Sequence, residues 1–419
     1  MTSVPLARRA GGPDLARGFA LLGIALANTV GWLRGSQWTV LVKQLDATVP
    51  DRIADVLIAL FADNRGFPLF AMLFGYGIGI LYRRSHERGE SARRFMLRML
   101  RRHLVLLVIG LAHAILLFSG DILVAYAIIG MFCVLLITRR RMVLPAVAVI
   151  ALPALGVWGW ADGTIGLGSG NGYAAASAPD YLTGLTLRAE ETLRSTVLTP
   201  LLDLGLLTPM ALGAIAARLR LLEEVRANRD LLIPLTRWGL LIGLLGAIPL
   251  TAVLVLDPGH AHLDSELMLG IFGVVHQYSG VAGALGLAAA AALLVEHLRH
   301  RGEQGAGRAE HLLGATVRGI EALGAVSLSA YIGQSVVFLG LFPPYALDLG
   351  ARLGTAGAAV IVLLTWLAMI PLADLLRTRG HRGPLEWLLR SLAGSAAPAG
   401  HVTHRPLEPA PERRKGARS

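Results

Sequence analysis

Charge and cysteine are what this sequence of 419 residues has least of: 16% of its residues are charged and it holds one cysteine. A single Cys133 excludes a disulfide framework and a paired-cysteine metal site; inside an apolar run it reads as a small core residue. So few charged side chains beside 54% hydrophobic residues cannot clothe a water-soluble protein of this length. No HExxH or carboxylate–histidine set marks a metal site and no phosphate-loop lysine is found either, so no metal is expected. Gly75, Gly77 and Gly79 resemble a nucleotide loop only superficially, and in an apolar run they read as points of close helix contact. The net charge of +11 would suit nucleic acid, yet the basic residues fall in short clusters between apolar runs and form no continuous polar face.

What the sequence has in abundance is apolar stretches near 20 residues, the length a helix needs to cross about 30 Å of hydrocarbon. Ten are expected, at 15–33, 66–82, 104–118, 120–137, 142–160, 197–217, 236–256, 267–295, 319–342 and 353–374. The fold class is therefore all-α, a polytopic transmembrane helical bundle over residues 1–392. A Pro-rich, basic cytoplasmic tail, expected to be disordered, follows over 393–419. The basic start reads as an uncleaved signal anchor. Ten spans put both termini on one side. Counted that way, 32 of the 39 basic residues lie in one set of connecting segments and tails, the asymmetry expected when that side is cytoplasmic. An interfacial helix is expected around 180–195 in the longest outer loop.

Polar side chains within spans are costly, so each is a candidate for function. Counting helical rise from the basic ends places Asn28, His113, His276, Gln277, Tyr331 and Gln334 in one layer just outside the midplane. Asn and Gln also join membrane helices as hydrogen-bonding glue. His113, Asp121 and Tyr126 flank a tight Ser-Gly turn, where the carboxylate could fix the imidazole tautomer or simply cap the next helix. Asp14 and Arg17 share a helix face, as an ion pair or with Arg17 meeting a phosphate. Arg65, after Asp63 and Asn64, either snorkels or pairs within the bundle.

The segments PDLARGFALLGIALAN, RGFPLFAMLFGYGIGI, IGLAHAILLFSGDILVAYAIIG, GAVSLSAYIGQS and GPLEWLLRSL resemble those of the YeiB-like membrane family, domain of unknown function family 418, from about residue 13 to 393. That resemblance implies a multi-pass protein of the bacterial cytoplasmic membrane. More distantly, Asp14, Leu15, Arg17, Gly18 and Ala20 are similar to the opening element of transmembrane acyltransferases of the heparan-glucosaminide acetyltransferase and acyltransferase-3 types. The position eleven residues after Arg17 is Asn28 where the acyltransferase-3 type has histidine, and 29–45 contains no histidine. Acyl transfer would then rest on His113 or His276.

Two functions follow, beside a third, non-catalytic reading as a membrane scaffold whose polar patches only pack helices. One is acyl transfer, acetyl first among the acyl groups, from cytoplasmic acyl-CoA as co-substrate to a hydroxyl or amine of a small-molecule, lipid or glycan acceptor. Here His113, oriented by Asp121, is the general base or a transient acyl carrier, His276 is the other catalytic histidine, Asn28 or Gln334 steadies the oxyanion, and Asp14, Arg17, Arg65, Arg102, Tyr126, Gln277, Tyr331 and Gln334 bind substrate. The other is transport or flipping of a small metabolite or lipid through the same polar layer. The bilayer is the expected partner, nucleic acid is not, and a homo-oligomer is left open.

Overall fold

The structure is a computed structural model that describes residues 11–35, 37–168, 173–303 and 307–394. The tail from 395 and the basic stretch before Gly11 lie outside those residues. The helices in chain order are α1 (Gly11–Ala27), α2 (Val49–Phe61), α3 (Gly66–Glu87), α4 (Ala92–Leu116), α5 (Leu123–Ile137) and α6 (Val143–Ile150). Then come α7 (Leu152–Thr164), α8 (Tyr181–Leu202), α9 (Leu207–Arg218), α10 (Arg229–Leu245), α11 (Ile248–Leu256) and α12 (Glu266–Glu303). The series closes with α13 (Arg308–Ala325), α14 (Ser327–Leu341), α15 (Leu349–Arg352), α16 (Thr355–Thr378) and α17 (Pro384–Leu392). Among the described residues the architecture is all-α, with no strand longer than an isolated bridge between Trp38 and Gln44.

Among the described residues six runs are long and apolar enough to cross a membrane: Val49–Glu87, Ala92–Leu116, Val143–Leu167, Arg229–Leu256, Glu266–Gly302 and Thr355–Thr378. Two bent pairs qualify together, Tyr181–Leu202 with Leu204–Arg218 at 54° and Arg308–Ala325 with Ser327–Leu341 at 86°. Helices α1 and α5 are shorter, at 17 and 15 residues. The expected span at 66–82 is thus the second half of a longer run, joined to α2 through Asn64, whose φ is +56°. The expected span at 319–342 is not straight. The interfacial helix expected at 180–195 is the start of α8, which runs on to Leu202.

Glycine lets these helices approach closely. A Cβ on Gly213 of α9 would stand 1.8 Å from the carbonyl oxygen of Met72 in α3, and one on Gly75 would stand 2.0 Å from that of Met210. Nothing larger than hydrogen fits, which is how the backbones of α3 and α9 come into contact. Gly77, by contrast, faces no other backbone; its nearest neighbour would be Arg17 at 3.8 Å.

The connecting segments gather at two ends. At the arginine-rich end Arg83 pairs with Glu223, Arg220 with Glu87 at 3.0 Å, and Arg226 with Glu296. At the opposite end Arg34 meets Asp348 at 2.9 Å, and the Ala356 amide donates to Asp51 at 2.9 Å. These are the same two sets of loops into which the arginine count divides the sequence.

Candidate functional site

Helix α4 carries His113 three residues before its end, and the chain turns at Ser119–Gly120 to start α5. That turn brings Asp121 back onto the imidazole. Its Oδ1 lies 2.7 Å from His113 Nδ1, while its Oδ2 accepts the Val124 amide at 2.7 Å. The two sequence readings of Asp121 therefore hold together: one oxygen orients the histidine, the other caps α5. The opposite ring nitrogen, Nε2, lies 2.8 Å from the Oγ of Ser335 on α14. Both His113 and Asp121 side chains are buried. A carboxylate only accepts, so Nδ1 carries a proton, and in the neutral imidazole Nε2 then accepts from the Ser335 hydroxyl.

Tyr331, one turn before Ser335, packs its ring 4.9 Å from that of His113, and its hydroxyl accepts the Ile122 amide at 3.4 Å. Gln334 is buried with Nε2 lacking a partner. Tyr126, on the first turn of α5, donates to the Phe67 carbonyl at 2.7 Å and joins the site to the start of α3. Toward the opposite end from the arginines, Trp32, Phe118, Phe338 and Phe342 form an apolar cluster against which Tyr173 packs. Trp32 stacks on Phe118 at 4.7 Å and Phe118 on Tyr173 at 5.4 Å, which keeps that side of the hairpin dry.

The register of α14 is set from a distance. Its first amides have no carbonyl partner within their own helix. Glu386 of α17 fills that role, accepting from the Leu328 amide at 2.8 Å, the Ser329 amide at 3.2 Å and the Ser329 hydroxyl at 2.5 Å. This carboxylate explains why the chain can bend by 86° at Val326 without orphaned donors, and it is the role of the glutamate in GPLEWLLRSL.

The single polar layer expected from depth divides into two clusters. His276 of α12 does not meet His113. Its Nδ1 accepts from Asn64 Nδ2 at 3.1 Å and its Nε2 donates to the Ala59 carbonyl at 3.0 Å, so both nitrogens are committed. Asn64 also donates to Asp162 at 2.7 Å. Arg65 is buried, not snorkelling: it donates to the Asp63 and Gly243 carbonyls, each at 2.6 Å, and Lys43 lies 2.9 Å from the Asp63 carboxylate. Gln277 is buried next to His276 with both amide atoms unpartnered. Asn28, half-buried in the turn after α1, joins neither cluster through a side-chain hydrogen bond.

At the arginine-rich end a cavity of about 410 Å³ opens among α1, α12, α13 and α16, lined in part by Arg299, Arg318, Arg377, Glu321 and Ala325. Arg17 and Arg102 do not line it. Arg17 holds Asp14 at 2.6 Å and the Leu73 carbonyl at 3.1 Å, and Arg102 is half-buried on α4. Among the described residues no three His, Cys, Asp or Glu side chains are placed to hold a metal ion.

Ser335, Glu386 and Asp162 were not among the residues that sequence reasoning selected. The fold and the site define an all-helical bundle of membrane-protein type with a buried carboxylate–imidazole–hydroxyl relay. Residues 216–395 match the family described as Protein of unknown function (DUF418), a stretch that includes Tyr331, Ser335 and Glu386. The chain is 25% identical over 413 residues to the uncharacterized protein YxaH of Bacillus subtilis (strain 168), covering 91% of this chain and 94% of that one. It is 36% identical over 131 residues to an uncharacterized 39.9 kDa protein in the amylase 3′ region of Bacillus acidopullulyticus, which is 31% of this chain and 35% of the relative. It is 30% identical over 121 residues to the uncharacterized protein YeiB of Escherichia coli (strain K12), 29% of each chain. The chain is thus similar to the YeiB-like proteins, to YxaH along nearly its whole length and to the family model over its second half.

Proposed function

We propose that this protein is a membrane acyltransferase that moves an acyl group from acyl-CoA to a hydroxyl or amine acceptor. The relay around His113 carries the reading. With Nδ1 fixed by Asp121, Nε2 is a base already within hydrogen-bond distance of a hydroxyl, in a dry site where proton transfer to it assists an attacking group. His276, with both nitrogens occupied, offers no such base.

The distant similarity of the first helix to transmembrane acyltransferases supports the donor, and so does the cavity at the arginine-rich end. Arg299, Arg318 and Arg377 supply planar guanidinium groups suited to phosphates. Ala325 in its lining leads directly into α14, and Ser335 stands about 12 Å along that helix from Ser327. A pantetheine arm covers such a distance. The test is incubation of purified protein with radiolabelled acetyl-CoA and membrane extract. Label moving to an extract component, and ceasing to move in His113→Ala, is the expected result; no binding and no transfer by the wild type would overturn the reading.

The second cluster favours a different reading, transport coupled to a proton, because Lys43, Asp63 and Arg65 are charged groups buried among helices. Proton-dependent flux into proteoliposomes without acyl donor, abolished by Asp162→Asn and untouched by Asp121→Asn, would decide for it.

A further inference from the structure

We infer that Ser335 is a nucleophile that carries the acyl group between donor and acceptor; the inference rests on the acyl-transfer reading above. Hydroxyls within membrane helices ordinarily bond back to a carbonyl three or four residues earlier. In this chain Thr236, Ser279, Thr316 and Thr365 all do so, at 2.8–3.1 Å. Ser335 does not. Its hydroxyl is directed to an imidazole 222 residues away in sequence, whose other nitrogen is held by a carboxylate. That is the order of groups that activates a serine: carboxylate to Nδ1, Nε2 to hydroxyl. The amide of Gln334, the preceding residue, has a buried Nε2 without a partner, an uncommitted donor for the oxygen of a tetrahedral intermediate.

The chemistry closes without a further reagent. As Ser335 Oγ forms its bond to the thioester carbonyl carbon, its proton passes to His113 Nε2. The carbon–sulfur bond then breaks, and the CoA thiolate takes that proton from the imidazolium. In the second half the acceptor hydroxyl or amine gives its proton to Nε2 as it attacks the acyl-serine ester, and Ser335 leaves with that proton returned. Asp121 remains hydrogen-bonded to Nδ1 throughout and stabilises the transient imidazolium. The mere joining of α4 to α14 would require only that Ser335 and His113 stay hydrogen-bonded, and would give no acyl-serine.

Two probes on the full-length protein in lipid nanodiscs test this. One is a fluorophosphonate, which phosphonylates activated serines whatever the natural donor; the other is radiolabelled acetyl-CoA without acceptor, followed by peptide mapping. Both are expected to label the peptide holding Ser335. S335A and H113A should abolish the labelling, and D121N should slow it by roughly 10²–10⁴-fold. S335C, which keeps a nucleophile of similar size, should move the acetyl label to a hydroxylamine-labile thioester, with monodispersity on gel filtration showing that each variant is folded. Acyl transfer that persists in folded S335A, or CoA released only with acceptor present and no label on Ser335, overturns the inference and leaves the acyltransferase reading standing. Phosphonylation of Ser335 without any reaction of acetyl-CoA supports the nucleophile and removes the proposed donor. Absence of both reactions overturns both.

Discussion

At the scale of single residues, the two oxygens of Asp121 do separate work, one on His113 and one on the Val124 amide. Asp121→Asn offers one acceptor where the carboxylate offers two. If that acceptor stays on the Val124 amide, the fold is expected to stay intact while the proposed acyl transfer falls roughly 10²–10⁴-fold, read as kcat with gel-filtration behaviour unchanged. Glu90 answers to pH. Hydrogen bonding to Arg98, then to Ser85, holds its carboxyl below the usual carboxylate range. The stability it contributes is present above the unfolded pKa of about 4.3 and is lost as pH falls through the lower folded value. Thermal melting followed from about pH 6 down to about pH 3 should show a decline that is shallower in Glu90→Gln. The geometry of the candidate site was partly legible. His113 and Asp121 stand out because ionisable groups in apolar runs are costly. Ser335 does not, since a helical hydroxyl is satisfied by its own backbone in most places. Asn28 and His276 share a depth with His113, but depth along a helix says nothing of the direction around the bundle, and direction put them elsewhere.

At the scale of elements, α14 depends on a cap supplied by another helix. Glu386→Ala removes the acceptor for two amides and one hydroxyl and is expected to cost about 1–2 kcal/mol. Because the same change loosens the register that brings Ser335 to His113, activity should fall further than melting temperature alone accounts for; the two measured together check this. The contact of α3 with α9 is more demanding. Gly213→Ala puts a methyl group within 1.8 Å of a carbonyl oxygen, so the helices must separate, at a cost of about 1–3 kcal/mol read from detergent-resistant melting. Glycines of this kind were readable as contact points, and of Gly75, Gly77 and Gly79 the first and last are. The bend at Val326 was not readable. Residues 319–342 are mostly apolar and contain no proline to mark a break, and the group that makes the bend tolerable is 58 residues further on.

At the scale of the whole molecule, the sorting of basic loops was legible because charge placement answers to the membrane and not to the details of packing. Cysteines placed singly at Arg88, Arg140, His262 and Leu347 in a Cys133→Ala background test the orientation. An impermeant thiol reagent applied to intact cells should label positions 262 and 347 and spare 88 and 140; the reverse pattern would invert the topology. The cap on α14 also has a consequence in time. A chain made from its amino end at roughly 5–20 residues per second exposes His113 and Asp121 roughly 10–40 s before Ser335 exists. Glu386 emerges later still. For that interval the hairpin of α4 and α5 is already built while the helix that completes it has neither its hydroxyl in place nor its cap. Synthesis thus makes a bundle first and the Asp121–His113–Ser335 arrangement last, and a nascent chain stalled before α17 would be held in the bilayer with those three side chains not yet fixed together.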